Sequence, residues 1–174
     1  LIFGGSGQIG RNLIGNLPGT IIRSQLVQET SSEKLHHKNP GNAGYIDIVE
    51  AKIFEEKKLR QLFLKSDVCI NLVGILFEKK PGDTFKNIHS VFPSLLAKLC
   101  KQYDLKHFIH ISALGINQAI DSEYAQSKLE GENNILKSFP LATILRPSIV
   151  YSVDDNFTTN FMTLLNNLPL FPLY

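Results

Sequence analysis

Cysteine is scarce in this chain, with two in 174 residues. Cys69 and Cys100 stand far apart, form no CxxC pair and have no clustered ligands beside them. That excludes a disulfide-built scaffold and a thiolate metal centre. Both lie in apolar surroundings, "DVCINLVG" and "LLAKLCKQY", and read as buried, reduced thiols. An excess of one charge is missing too: 18 Lys and Arg are interspersed with 16 Asp and Glu, a net charge of +2. No basic face follows from this pattern, so nucleic acid is not an expected partner. Apolar runs never reach the length of a membrane span. Repeats, low-complexity tracts and an interdomain linker are also absent. The histidines supply no metal site, because His36 and His37 are adjacent and their side chains diverge, with no carboxylate spacing to complete a set. His107 and His110 bracket an apolar run and read as structural. Asp154 and Asp155 suit the start of a helix.

What is present is an ordinary globular composition, 43% hydrophobic and 20% charged, enough for one domain over residues 1–174. Its pattern alternates strand and helix. Strands are predicted at 1–3, 20–27, 45–49, 67–74, 107–112 and 142–147, and helices at 8–17, 54–65, 90–104, 122–139 and 157–168. The third of these helices is expected to begin near Pro93. Leu59, Leu62 and Phe63 have helical spacing and mark one buried face. The polar stretch 28–44 reads as loop or a short helix. Such alternation predicts a doubly wound α/β fold of Rossmann type, with a mostly parallel sheet. Ligands of that architecture bind beyond the carboxyl ends of the strands, where the strand order reverses.

The opening "LIFGGSGQIG" places Gly4, Gly7 and Gly10 three apart between the first strand and the first helix. In that position glycines serve a tight turn, the close approach of a phosphate and close helix packing. Ser6 and Gln8, Ile9 and Gly10 would meet a pyrophosphate at the helix N-terminus. Near the second strand, Arg23 favours NADP(H) over NAD(H), or else is a solvated edge residue; no acid comes before Glu29. Tyr124 and Lys128 are four apart in a helical stretch and share a face. An ammonium there lowers the pKa of a phenol and prepares it for proton transfer. The alternative is a packed ring beside a solvated lysine. Ser112, following Ile111 at the end of the fifth strand, is placed to bond a substrate oxygen.

The segments "FGGSGQIGRNLI", "INLVGILFE", "HFIHISALG", "YAQSKLEGE", "FPLATILRPSIVY" and "DDNFTTNFMTLL" together resemble the extended short-chain dehydrogenase/reductases of the NAD-dependent epimerase/dehydratase group. Within it the chain is most similar to the atypical branch containing the Rossmann-type accessory subunit of respiratory complex I and its alphaproteobacterial relatives. The resemblance implies tightly held NADP(H), complex I subunits as partners, and a role in stability or assembly rather than turnover. It implies a location on the mitochondrial matrix side, or in a bacterial cytoplasm at the inner membrane. It also implies that Asn71, Leu72, Val73 and Gly74 run along the adenosine ribose and phosphates, and that Ile111, Ser112, Tyr124 and Lys128 adjoin the nicotinamide. Pro147, Ser148 and Ile149 would flank that ring. The enzymatic alternative is an NAD(P)-dependent oxidoreductase or epimerase using Tyr124, Lys128 and Ser112.

Departures from the branch are visible. Its paired arginines after the second strand have no counterpart, Val27 and Gln28 falling nearest. Lys52 stands where an acid or amide near the adenine is usual, and Ser152 where a glycine is usual. His89 occupies the place of an asparagine that holds a relay water; it either shuttles protons or is a satisfied helix residue. Relatives carry a further substrate-covering segment, so residues are expected beyond Tyr174 and a few before Leu1.

Overall fold

The computed structural model describes residues 1–17, 24–28, 46–51, 54–78, 82–151 and, beyond these, 162, 163 and 166. Six strands form one sheet: β1 (Ile2–Phe3), β2 (Ser24–Gln28), β3 (Ile46–Glu50), β4 (Val68–Asn71), β5 (His107–Ile111) and β6 (Thr143–Leu145). Their order is β3-β2-β1-β4-β5-β6, and every pairing is parallel. This is the doubly wound arrangement predicted from the alternation. Strand order reverses between β1 and β4, which defines the crevice.

Alternating side chains cover both faces, as a parallel sheet requires. Ile2, Ile70 and Leu72 pack with Ile14 of α1 (Gln8–Asn16) on one side. Phe3, Cys69 and Phe108 face the main core on the other. There α2 (Glu56–Phe63) buries Leu59, Leu62 and Phe63, the face predicted from their spacing. Helix α3 (Phe92–Gln102) adds Leu96, Leu99 and Cys100, and α4 (Glu123–Ser138) adds Ile135. Both cysteines are free and fully buried, and burial raises the Cys69 thiol pKa well above its ordinary range.

Predicted boundaries move: the strands expected at 67–74 and 142–147 shorten to Val68–Asn71 and Thr143–Leu145, and two other elements also differ. The helix expected to start near Pro93 begins earlier, with a π-helical segment Lys86–Val91 that runs directly into α3. Its wider turn is visible where the Phe92 N–H reaches back five residues to the Asn87 carbonyl. Pro93 has no N–H to give the His89 carbonyl, the acceptor four residues back. That carbonyl lies instead against α4, where a Cβ added to Gly131 would come within 1.9 Å of it. Thr84 Oγ1 accepts the Asn87 N–H at 3.1 Å and supports the new start. The second strand, predicted at 20–27, is described over Ser24–Gln28. Arg23, Lys52, Ser152, Asp154, Asp155 and the paired histidines lie outside the described residues, as does most of the predicted helix at 157–168.

Candidate functional site

The turn after β1 is built from backbone. Gly4 has φ +77°, and an added Cβ there would lie 3.0 Å from the backbone of Leu72 and Val73, so the turn nests against the loop after β4. Gly10 is tighter still: a Cβ would stand 2.6 Å from Gly4 O, Gly5 Cα and Gly5 O. The first helical bond of α1 runs from Arg11 N to Gly7 O at 2.9 Å. The N–H groups of Gln8, Ile9 and Gly10 therefore have no partner within the helix. No side chain caps them, and no acid stands in the first turn. Arg11 donates to Ser6 O at 2.7 Å, which keeps a guanidinium beside the turn. A ring of free donors, positive helix dipole and guanidinium fits a pyrophosphate. The Gln8 side chain points elsewhere, donating to Val150 O at 3.2 Å and tying the turn to the segment after β6.

Across the crevice, Asn71 is fully buried. Its Oδ1 accepts the Val73 N–H at 3.1 Å, and its Nδ2 donates to His110 Nδ1 at 3.0 Å. Asn71 thus shapes the loop from inside, and the Leu72 and Val73 backbone is what faces the glycine turn. The same bond puts the His110 proton on Nε2. Burial then lowers the His110 pKa to about 3 and keeps the ring neutral.

Helix α4 brings Tyr124 and Lys128 to the site. Ser122 Oγ accepts the Ala125 N–H at 3.3 Å and caps the helix start. Lys128 is 4% exposed and donates to the Ile111 carbonyl at 3.3 Å. Burial lowers its pKa to about 8, with Glu132 one turn on acting the other way. The ammonium lies 5.9 Å from the Tyr124 ring centroid. The predicted lowering of the phenol does not follow: burial raises the Tyr124 pKa. Lys128 is directed to a backbone carbonyl, so desolvation of the phenol dominates. The Tyr124 ring packs edge to face on His89 and Phe85, with centroids 5.1 and 5.8 Å apart.

Ser112 is 4% exposed and continues the buried face of Phe108 and His110. Its hydroxyl makes no hydrogen bond; burial works to raise the neighbouring Glu132 carboxyl, and pairing with Arg146 outweighs it and lowers that pKa. Among the described residues, no hydrogen bond links Ser112 to Tyr124 or Lys128. The structure therefore joins Lys128 to Ile111 and sets its ammonium near the Tyr124 ring, while Ser112 is buried without a bond to either side chain. Sequence reasoning missed one buried residue. Glu132, 2% exposed, forms a two-pronged ion pair with Arg146, whose Nε stands at 2.9 Å. Arg146 immediately precedes Pro147, Ser148 and Ile149, and Leu114 N bonds Pro147 O at 2.9 Å. The only signal in the sequence was Glu132 standing four residues after Lys128, a spacing too common to read alone.

His89 resolves the alternative left open above. It is fully buried; Nε2 accepts the Ile75 N–H at 3.1 Å, and Nδ1 meets Ser127 Oγ at 3.0 Å. Both nitrogens are used. Burial and the Lys128 ammonium lower its pKa to about 3.

The sequence pattern of the NAD dependent epimerase/dehydratase family matches residues 1–168. The chain belongs to that family. Over 167 residues it is 25% identical to the mitochondrial NADH-ubiquinone oxidoreductase 40 kDa subunit of Neurospora crassa, covering 96% of this chain and 44% of that protein. It is 28% identical over 163 residues to the mitochondrial NADH dehydrogenase (ubiquinone) 1 alpha subcomplex subunit 9 of Mus musculus, covering 92% and 42%. The chain thus spans less than half the length of these two relatives. Among solved structures, the enzyme WbmH of Bordetella bronchiseptica in complex with NAD+ has a TM-score of 0.73 at 20% identity, covering 95% of this chain and 61% of that one. That likeness is one of fold.

Proposed function

We propose that this chain is the nicotinamide-dinucleotide-binding portion of a respiratory complex I accessory subunit, or of a bacterial relative, in which the dinucleotide is held rather than turned over. One observation carries the second half of this reading: the imidazole packed against Tyr124 is already committed. Both His89 nitrogens are hydrogen-bonded, while Lys128 donates to the Ile111 carbonyl with two N–H donors left over, and buried Ser112 makes no hydrogen bond to Tyr124. A family member that reduces a substrate needs a route for its proton. The complex I association is supported by the names of the Neurospora and mouse relatives, both subunits of that enzyme. By the same support the partners are complex I subunits, on the matrix side of a mitochondrion or the cytoplasmic side of a bacterial inner membrane. Among the described residues, no helix is long and apolar enough to cross a membrane.

A bound nicotinamide ring supplies hydride donation or acceptance. This chain's residues would hold the dinucleotide as follows. The N–H groups of Gln8, Ile9 and Gly10 take the pyrophosphate. The Leu72–Gly74 backbone lines the adenosine side, and Lys128 stands nearest the nicotinamide ribose. Pro147 and Ile149 close the ring side. On the adenosine ribose, strand register favours NAD(H) over the NADP(H) that Arg23 implied. Phe3 pairs with Val27, so the crevice end of β2 is Gln28. Arg23 precedes Ser24, the first described residue of that strand, whereas Glu29 follows its last. An acid after Gln28 accepts from a ribose 2′-hydroxyl and repels a 2′-phosphate.

The test is release and exchange. The purified protein is denatured, the dinucleotide that comes off is identified, and the native protein is challenged with labelled NAD(H) and NADP(H). Tightly held NAD(H) that barely exchanges is the expected result. Rapid exchange argues for the enzymatic alternative, which the intact Tyr124–Lys128 pair on one helix face supports. Absence of any dinucleotide binding overturns both.

A further inference from the structure

We infer that His89 is a positioning residue that locks the loop after β4 onto the helix carrying Tyr124 and Lys128, holding two walls of the crevice at one separation. The Ile75 N–H can only donate, so His89 Nε2 accepts and the ring proton resides on Nδ1. That proton goes to Ser127 Oγ, whose own hydrogen goes to the Tyr124 carbonyl at 2.8 Å. A single chain of hydrogen bonds therefore runs from the β4 loop, through His89, to the first turn of α4.

Packing holds the imidazole in this role. Its ring stacks on Phe85 at 5.5 Å and meets the Tyr124 ring edge to face at 5.1 Å. Gly74 roofs the arrangement, since a Cβ there would lie 3.3 Å from Lys128 Nζ and 3.8 Å from His89 Nε2. The backbone contributes independently: the π turn presses the His89 carbonyl against Gly131 of α4. Side chain and main chain of one residue thus bridge the same two elements. A neutral imidazole suits this position because it offers one acceptor and one donor on a rigid ring. A second proton would set Nε2–H against the Ile75 N–H, close to the Lys128 ammonium on α4 and the His110 ring on β5.

The geometry of the lock stands on its own; its consequence for the crevice rests on the dinucleotide reading above. Three measurements on the same protein separate them. Nitrogen NMR of the His89 ring is expected to show the proton on Nδ1, and a proton on Nε2 overturns the lock. His89→Phe keeps the ring and its stacking but removes both nitrogens. In that variant the Ile75 amide is expected to exchange about tenfold faster or more, with Leu96 and Phe108 amides unchanged. Ile75 exchange within about twofold of the parent overturns the proposal. His89→Gln, which retains an acceptor and a donor, is expected to restore part of the protection. Should the phenylalanine variant fail to fold, Ser127→Ala removes the acceptor of the His89 Nδ1 proton; that ring proton is then expected to exchange about tenfold faster, and an unchanged rate overturns the lock. Finally, NAD(H) affinity is expected to fall about tenfold in His89→Phe, measured without urea on the folded variant. If Ile75 responds while the parent binds no dinucleotide at all, the lock stands and the dinucleotide reading falls.

Discussion

At Gly10, one added carbon would come within 2.6 Å of three backbone atoms, whereas across the crevice side chains fill the space, His89 bonding Ser127 while Ser127 and Lys128 donate to backbone carbonyls. The glycine turn recognises by what it leaves out. Its donors are free because nothing caps them, and its shape depends on the missing Cβ atoms. The α4 side is the reverse: it is occupied and bonded, with a neutral imidazole set close to the Lys128 ammonium. A turn of the first kind receives a charged group from outside. A network of the second kind has its central imidazole bonded at both nitrogens, which suits holding a ring in place better than passing a proton.

The sharpest way to break this contrast is Gly10→Ala. The clash is with backbone, so it cannot relax cheaply, and a loss of about 3 kcal/mol in urea denaturation is expected. Gly7→Ala is its milder companion, because its Cβ would approach only Gly4 O, at 3.3 Å. It should cost about 1 kcal/mol or less in stability, yet still remove dinucleotide binding, since that carbon stands where the backbone must approach a phosphate. Equal losses of stability in the two variants would erase the distinction between scaffold and cradle.

The occupied side is tested by pH. His89 and His110 remain neutral in the fold, with pKa values of about 3 against an ordinary 6.5. On acidification the unfolded chain takes up these two protons first, so stability falls as pH drops from about 6.5 towards 3. With both groups contributing, the slope of stability near pH 5 is expected to approach about 2.7 kcal/mol per pH unit. His110→Phe should reduce that slope by about 1.4 kcal/mol per pH unit. An unchanged slope would mean that His110 is protonated in the fold. The smallest expected effect belongs to Tyr124→Phe. It keeps the ring that packs on His89 and Phe85, so stability should shift by about 0.5 kcal/mol or less and NAD(H) retention should persist. Any turnover in the parent that this variant abolishes would move the α4 side from holding to catalysis.

Much of this was legible beforehand because it depends on local constraints. The Gly4, Gly7 and Gly10 spacing announces a turn whose residues lack Cβ for a steric reason. Leu59, Leu62 and Phe63 announce a helix face through a period that any amphipathic helix must obey. Other features were hidden because their causes are distant in sequence. The helix start at Lys86 was masked by Pro93, an ordinary first-turn residue unless a π turn precedes it. The partner of Glu132 is Arg146, fourteen residues away, and no spacing rule connects them. The pKa of Tyr124 moved opposite to the expected direction because the burial of the phenol and the aim of Lys128 are properties of the packed molecule.

The sequence by itself determined the alternation of strands and helices, the glycine turn at the head of the sheet and the placement of Tyr124 and Lys128 one turn apart. Each follows from chain geometry within a few residues. Only the tertiary structure decided what these residues face. It buried Ser112, took both nitrogens of His89 and placed the end of β2 at Gln28. Such outcomes rest on which donor meets which acceptor across elements many residues apart, and on how far from water each charge is held.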